Sequence, residues 1–385
     1  MSESAPPSGA RPARRDLLVA LLAGAVGAGA GIGASAVFSS GSGREAATDE
    51  DGVDSVQASG RTQAGIDRPG TPQRFGRLMV FDIDRTASAP DWLRTLGARI
   101  LEATTGEEPD AVIDLTVTVG VGPALVAILD PTLPGAEDLP EFRGDADIPS
   151  ERRGGDLLLT AYGSDPGALR PVLLDLAADI PGAVVRWEQA LFRGPGSGTR
   201  VRNPLGFHDG IVVPHGEEQL DENVWLADGP LAGGTVCVVR RLRLDIDGFR
   251  SLPIAEQERI IGRRRIDGAP LSGGEPDDDV DLNSRTPEGD PVIDAHAHVR
   301  AAHPSFTGSK LMLRRGYAFD DGAADTGLMF ICFQRDLRTF VATQYRLDEV
   351  DALSAFSTPT ASGTFLILPG FDQERPLGST LSATT

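Results

Sequence analysis

Lysine is nearly missing from this chain. Lys310 is the only one, so arginine supplies almost all of the positive charge. Acidic residues outnumber basic ones and the formal net charge is −20. A surface of that sign repels a phosphate backbone, which argues against nucleic acid as a partner and leaves solubility as the plain use of the acidity. Cysteine is equally scarce. Cys237 and Cys332 sit in the apolar runs GTVCVVRR and LMFICFQ, outside any CxxC or similar spacing. Neither a disulfide framework nor a thiolate zinc site is expected from that pattern. Two buried thiols are the expected state, and a bond between them stays open because it requires neighbouring strands. Aromatic residues make up only 5% of the chain.

What is present begins with the N-terminus. Arg14 and Arg15 precede an uncharged, Gly/Ala-rich run from Leu17 to Phe38 that contains Ala34-Ser35-Ala36. This resembles a twin-arginine (Tat) export signal with an AxA-like cleavage site, expected over residues 1–36. A membrane anchor is the competing reading, made weaker by the small residues. Export would place the protein in the periplasm, the cell envelope or outside the cell, and Tat carries proteins already folded around a cofactor. Residues 37–62 are Ser/Gly/acidic without periodicity and read as a flexible linker.

At 385 residues and 40% apolar, the chain suits one large domain or two medium ones. RFGRLMVFDI reads as a strand and APDWLRTLGARILEATTG as a helix. AVIDLTVTVG, ALVAIL and GDLLLTAYG read as strands, PGALRPVLLDLAADI as a helix, and GAVVRWEQALF as a strand. That is a ferredoxin-like order with one strand to spare, over residues 63–202. The second half, 203–385, repeats it. GGTVCVVRRLRLDI is a strand, IAEQERIIGRR a helix, SKLMLRRGYAF and GLMFICFQ strands, LRTFVATQYRLDEV a helix, and GTFLILPG a strand. A long polar stretch, 267–300, interrupts it, which points to function. Two ferredoxin-like halves with antiparallel sheets, packed sheet to sheet, are the expected α+β fold.

Three segments carry candidate chemistry. Three of the five histidines, His296, His298 and His303, crowd into DAHAHVRAAHP; the other two are His208 and His215. Imidazole is the commonest metal ligand, so a three-histidine metal site competes with a polar loop. In NPLGFHDGIVVP, Asp209 is either a turn residue or a placed carboxylate. In LMLRRGYAF, Arg314 and Arg315 point to opposite faces of a strand, so one faces inward. A buried arginine needs a partner, an anionic cofactor or a structural ion pair.

Taken together, GFHDG, EQERIIGRR, HVRAAHP, LRRGY and GLMFICFQRD, in this order, resemble the dye-decolorizing (DyP-type) haem peroxidases, with the EfeB-like exported branch nearest. The resemblance runs from QAGIDRP near residue 63 to LPG at 370. It implies a dimeric α+β barrel fold binding haem b, one per chain, in the C-terminal half. It further implies hydrogen peroxide and small-molecule electron donors as substrates, with a homo-oligomer as a candidate assembly.

Carried over residue by residue, the resemblance makes His298 the proximal iron ligand. It places Asp209 and Arg314 on the peroxide side as catalytic residues and Arg263 on a haem propionate. Gly210, Ile211, Val212 and Pro304 are further haem-binding residues, His303 falls at the haem edge, and Leu328 and Phe330 wall the distal pocket. Asp351 is the chosen carboxylate behind the ligand. The three tyrosines and three tryptophans are candidate electron relays, with core packing the simpler role. Thr62 replaces a family histidine before QAGI, Val213-Pro214 replaces a family Asn-Pro, and His303 replaces a family asparagine. The alternative functions are a haem-handling deferrochelatase linked to iron uptake and, less favoured, a non-haem metal-binding protein. A chlorite dismutase relative is weaker still, because GFHDG favours the peroxidases.

Overall fold

The computed structural model describes residues 55–382, apart from 106–111, 113, 195, 198, 199 and 323. The expected export signal and most of the linker lie outside the described residues. In chain order the strands are β1 (Phe75–Asp82), β2 (Thr116–Val121), β3 (Leu157–Gly163) and β4 (Val184–Phe192). The short β5 (Gly196–Ser197), β6 (Arg200–Arg202) and β7 (His208–Asp209) follow, then β8 (Thr235–Leu244) and β9 (Leu313–Arg314). The last three are β10 (Tyr317–Asp320), β11 (Thr326–Gln334) and β12 (Ser357–Ile367).

β1 to β4, with the helices Ala89–Ala103 and Pro166–Ala177, form a four-stranded antiparallel sheet in the order β4-β1-β3-β2. β8, β10, β11 and β12 repeat the pattern as β12-β8-β11-β10. These are the two ferredoxin-like halves that the alternation predicts. Their sheets do more than face each other. β2 pairs with β12 (Leu366 with Val121) and β10 pairs with β4 (Ala318 with Phe192), which closes eight strands into one barrel. Closure leaves neither sheet with a free edge at those seams. Gln63 staples the first seam, donating from Nε2 to Val119 O and Leu368 O while its Oε1 accepts from Val119 N.

Two expectations need correction. ALVAIL is a helix, Pro123–Leu129, and not a strand. Pro123 sits at its first position after Gly122, where a missing N–H costs nothing, and Leu125 and Val126 are buried. The spare strand therefore disappears. The linker also meets the folded body before its predicted end: Ala58 and Thr62 are buried, and Arg68 donates to the carbonyls of Gln57, Ser59 and Thr62.

Within SKLMLRRGYAF, Leu313 and Arg314 and then Tyr317 to Phe319 hold one register against β11 (Arg314 with Cys332, Tyr317 with Met329), with Arg315-Gly316 unpaired between them. Residues 309–312, expected as strand, lie ahead of it in irregular backbone. Strand alternation sorts its side chains. Leu313 and Tyr317 belong to the barrel interior, together with Tyr162 and Ile331. Cys237 also points inward, whereas Cys332 on the neighbouring strand belongs to an outer cluster with Phe142, Val238 and Phe340. The two cysteines are free, because opposite faces of one sheet keep their sulfurs apart. Among the described residues no helix is long and apolar enough to cross a membrane.

Candidate active site

Outside the barrel, Asp209, Gly210, Ile211, Val212, Arg263, His298, His303, Pro304, Arg314, Leu328, Phe330 and Asp351 all line a single cavity of about 500 Å³. These are all the residues that the resemblance places at the site, brought in from six separate segments.

His298 opens the short helix His298–Ala301. The loop before it is laced to the end of the helix Leu337–Val350: His296 Nδ1 meets Val350 O at 2.9 Å, and Ala352 N donates to His296 O. Gly262 is needed where a second helix meets this loop. Its φ is +94°, and a Cβ there would lie 2.3 Å from Val299 Cγ2. His298 Nδ1 is 2.8 Å from Asp351 Oδ2, while Asp351 Oδ1 accepts from Leu353 N. The carboxylate thus fixes the ring with its proton on Nδ1, and no hydrogen bond to Nε2 is found among the described residues. Burial works to lower the His298 pKa, but the charge and hydrogen bond of Asp351, with Asp209 assisting, outweigh it and raise it. The 36% of the imidazole that remains accessible belongs to a residue lining the cavity.

Asp209 ends the two-residue strand β7. Its Oδ1 accepts from Gly210 N at 2.6 Å and from Arg314 Nη2 at 3.4 Å. Burial pushes its carboxyl up, but Arg314, the Gly210 N–H and His298 outweigh that and hold it below the usual carboxylate value. Arg314 is anchored through Nη1 to Val212 O at 2.9 Å. Arg263 is buried, and its guanidinium donates to the carbonyls of Gly268, Pro276 and Asp278. It has no carboxylate within ion-pair distance among the described residues, and burial lowers its pKa.

The three clustered histidines diverge. His296 is held to a backbone carbonyl, and His303 bridges Asp279 (3.1 Å from Nε2) and Ser305 N (3.2 Å from Nδ1). Among the described residues no group of three or more His, Cys, Asp or Glu is arranged to hold a metal ion. Of the paired arginines, Arg314 reaches the cavity, whereas Arg315 is buried and donates to Ile66 O and to Pro69 O.

Tyr162 and Tyr317 stack in the barrel at 5.1 Å between ring centroids, and all three tryptophans are buried. Tyr345 alone among the described tyrosines and tryptophans is strongly exposed. Sequence reasoning missed Arg143, Gly144 and Asp147, which line the cavity from the N-terminal half, and Arg240 and Met312 from the C-terminal half. The N-terminal loop carries no motif. Its signal is the buried pair of Arg240 with Asp145 (2.6 and 3.0 Å), visible only in three dimensions.

The chain resembles known proteins over most of its length. A family model described as Dyp-type peroxidase, C-terminal, matches residues 200–372. A dye-decolorizing peroxidase from Thermobifida fusca is 37% identical over 290 residues, covering 69% of this chain and 67% of that one. A deferrochelatase from Yersinia pestis is 30% identical over 359 residues, covering 81% of each chain. A crystal structure of a DyP-type peroxidase from Streptomyces coelicolor superposes with a TM-score of 0.78 at 32% identity, covering 85% of this chain and 96% of that one. With one cavity gathering the histidine, the carboxylate and the guanidinium, and relatives of this extent, the chain belongs to the DyP-type peroxidase family, enzymes that act on hydrogen peroxide.

Proposed function

We propose that this chain binds one haem b in the cavity, with His298 as the iron ligand, and reduces hydrogen peroxide at the expense of dyes, phenols or other one-electron donors. One observation carries the reading. The same cavity holds an imidazole fixed by a carboxylate with Nε2 open, a carboxylate–guanidinium pair, and a buried arginine with no carboxylate at ion-pair distance among the described residues. The donor set fits the group: Nε2 suits iron, Asp351 strengthens its donation, and Arg263 suits a propionate.

Haem bound there supplies the iron that receives peroxide and passes its oxidising power to donors. The chain supplies the proton handling. Asp209 Oδ1 is occupied by Gly210 N and Arg314, so Oδ2 takes the proton from one peroxide oxygen and returns it to the other as the O–O bond breaks. Arg314, already held by Val212 O, stabilises charge on the departing oxygen without reorganising. Leu328 and Phe330 keep that space apolar. A carboxylate held below its usual pKa stays a base in acid, so turnover is expected to persist into acidic pH.

The test is the absorption spectrum of the haem-replete protein, with and without peroxide, and turnover of a dye or phenol. A Soret band and activity that collapses in Asp209→Asn and Arg314→Leu are expected. Full activity in both variants would sink the assignment.

A second reading, iron release from haem by a deferrochelatase that works with iron-uptake components, is favoured by the Yersinia relative, which aligns over 81% of each chain. Free porphyrin among the products would identify it. We further propose export by the Tat machinery, on Arg14, Arg15 and the run that follows, and assembly as a homo-oligomer. Retention in the cytoplasm of wild type and Arg14→Lys/Arg15→Lys alike would refute the export.

A further inference from the structure

The cavity wall carries one sulfur. Met312 lies two residues before Arg314, and both line the cavity, while Leu313 packs in the barrel and Arg315 is buried against the carbonyls of Ile66 and Pro69. In an extended chain that alternation puts Met312 and Arg314 on one face with their Cα atoms about 7 Å apart. Met312 is largely buried, with 8% of its surface exposed, and the other described sulfurs are more enclosed still. Met79 and Met329 are 0% exposed. Cys237 and Cys332 are buried, and burial pushes both thiols up, so neither offers a thiolate.

We propose that Met312 is a modification site, oxidised to the sulfoxide by the peroxide that enters this cavity. The inference rests on peroxide being the substrate here. A lone pair on the thioether attacks one peroxide oxygen, an S–O bond forms and the O–O bond breaks. The departing oxygen keeps its hydrogen, takes the proton of the transferred oxygen and leaves as water. Sulfur loses two electrons and peroxide gains them, so no other oxidant is required. Arg314, on the same face, holds the departing oxygen. The product places a polar oxygen among Phe142, Val238, Cys332 and Phe340, the cluster that backs Phe330 at the cavity wall. Loosening of that wall is the consequence, and the change is reversible only by a sulfoxide reductase.

The experiment treats the full chain, haem-loaded and haem-free, with graded hydrogen peroxide and maps its methionines by peptide mass spectrometry. Met312 sulfoxide is expected to form at least about ten times faster than sulfoxide at Met79 or Met329, which must wait for local opening. Met312 staying reduced while the protein inactivates, or the three methionines oxidising in parallel, overturns the proposal. Met312→Leu keeps volume and apolarity, and its activity is expected to decay at least about threefold more slowly under peroxide. Decay at the wild-type rate would overturn the claim that this sulfoxide limits the enzyme. If the protein takes up no haem and oxidises no donor, the peroxidase reading fails, while the methionine map of the same protein still decides Met312.

Discussion

Arg314→Leu separates the two jobs proposed for one guanidinium. In the structure Arg314 is held by Val212 O at 2.9 Å and stands 3.4 Å from Asp209 Oδ1. The second distance is longer than the 2.7–2.9 Å usual for a charged hydrogen bond, so the arginine is not consumed by the aspartate. Its remaining donors are available to the departing peroxide oxygen. Loss of one preorganised donor of this kind costs roughly 10²–10³ in kcat, about 2.7–4 kcal/mol.

The same substitution removes the strongest of the interactions that hold the Asp209 carboxyl down against its own burial. The Asp209 pKa must then rise. On the proposed role of Asp209 as a base when ionised, activity is lost as pH falls through its pKa, and a raised pKa moves the acid limb to higher pH. Stopped-flow rates of the peroxide reaction, taken from pH 3 to 7 on both proteins, read the two effects separately. A rate within about threefold of wild type, or a slow variant whose acid limb stays in place, refutes the reasoning.

Asp351→Asn removes the charge behind His298 while keeping its shape, and haem is expected to transfer to apomyoglobin about 10–100 times more readily; unchanged transfer would show the pair to be incidental. Arg240→Met leaves Asp145 buried without its partner (the two side chains are 3% and 7% exposed) and is expected to destabilise by about 3–5 kcal/mol, read from the denaturation midpoint. A midpoint equal to wild type would count against that pair as the anchor of the N-terminal loop over the cavity. Thiol titration of the unreduced protein in guanidinium is expected to find both Cys237 and Cys332 reactive, since they are free in the fold; fewer than two would mean a pairing the sheet faces forbid.

The halves of the barrel were legible because most of their long elements carried their own period. Trp92, Leu93, Leu96 and Ile100 repeat at helical spacing and are all buried in the helix Ala89–Ala103. ALVAIL was not legible, since a six-residue apolar run satisfies strand and helix alike, and only Pro123 after Gly122 argued for the helix. Barrel closure was equally hidden. Nothing in β2 or β12 marks their short pairing at Leu366 and Ile367 as the seam between sheets. Asp351 lies 53 residues from His298, and Arg143 meets the backbone of Asp348 from 205 residues away. Such contacts are properties of the fold and leave no local pattern.

The arginine pair shows how a correct local inference undercounts. Strand alternation sends Arg314 and Arg315 to opposite faces, and a strand on a surface sheet would leave one of them in solvent. Here the inward face is closed and buries Arg315, while the outer face lines the cavity, where the Arg314 side chain stays 26% exposed. Arg315 answers its burial with main-chain carbonyls of the segment at Ile66–Pro69, tying that segment to the barrel. Arg314 answers with a single carbonyl and a long contact to Asp209, so its charge is left to the cavity. Met312, just ahead of the strand, lines the same cavity as Arg314, while Leu313 packs in the barrel. Four consecutive residues thus divide in alternation, Leu313 and Arg315 to the barrel interior and Met312 and Arg314 to the cavity wall.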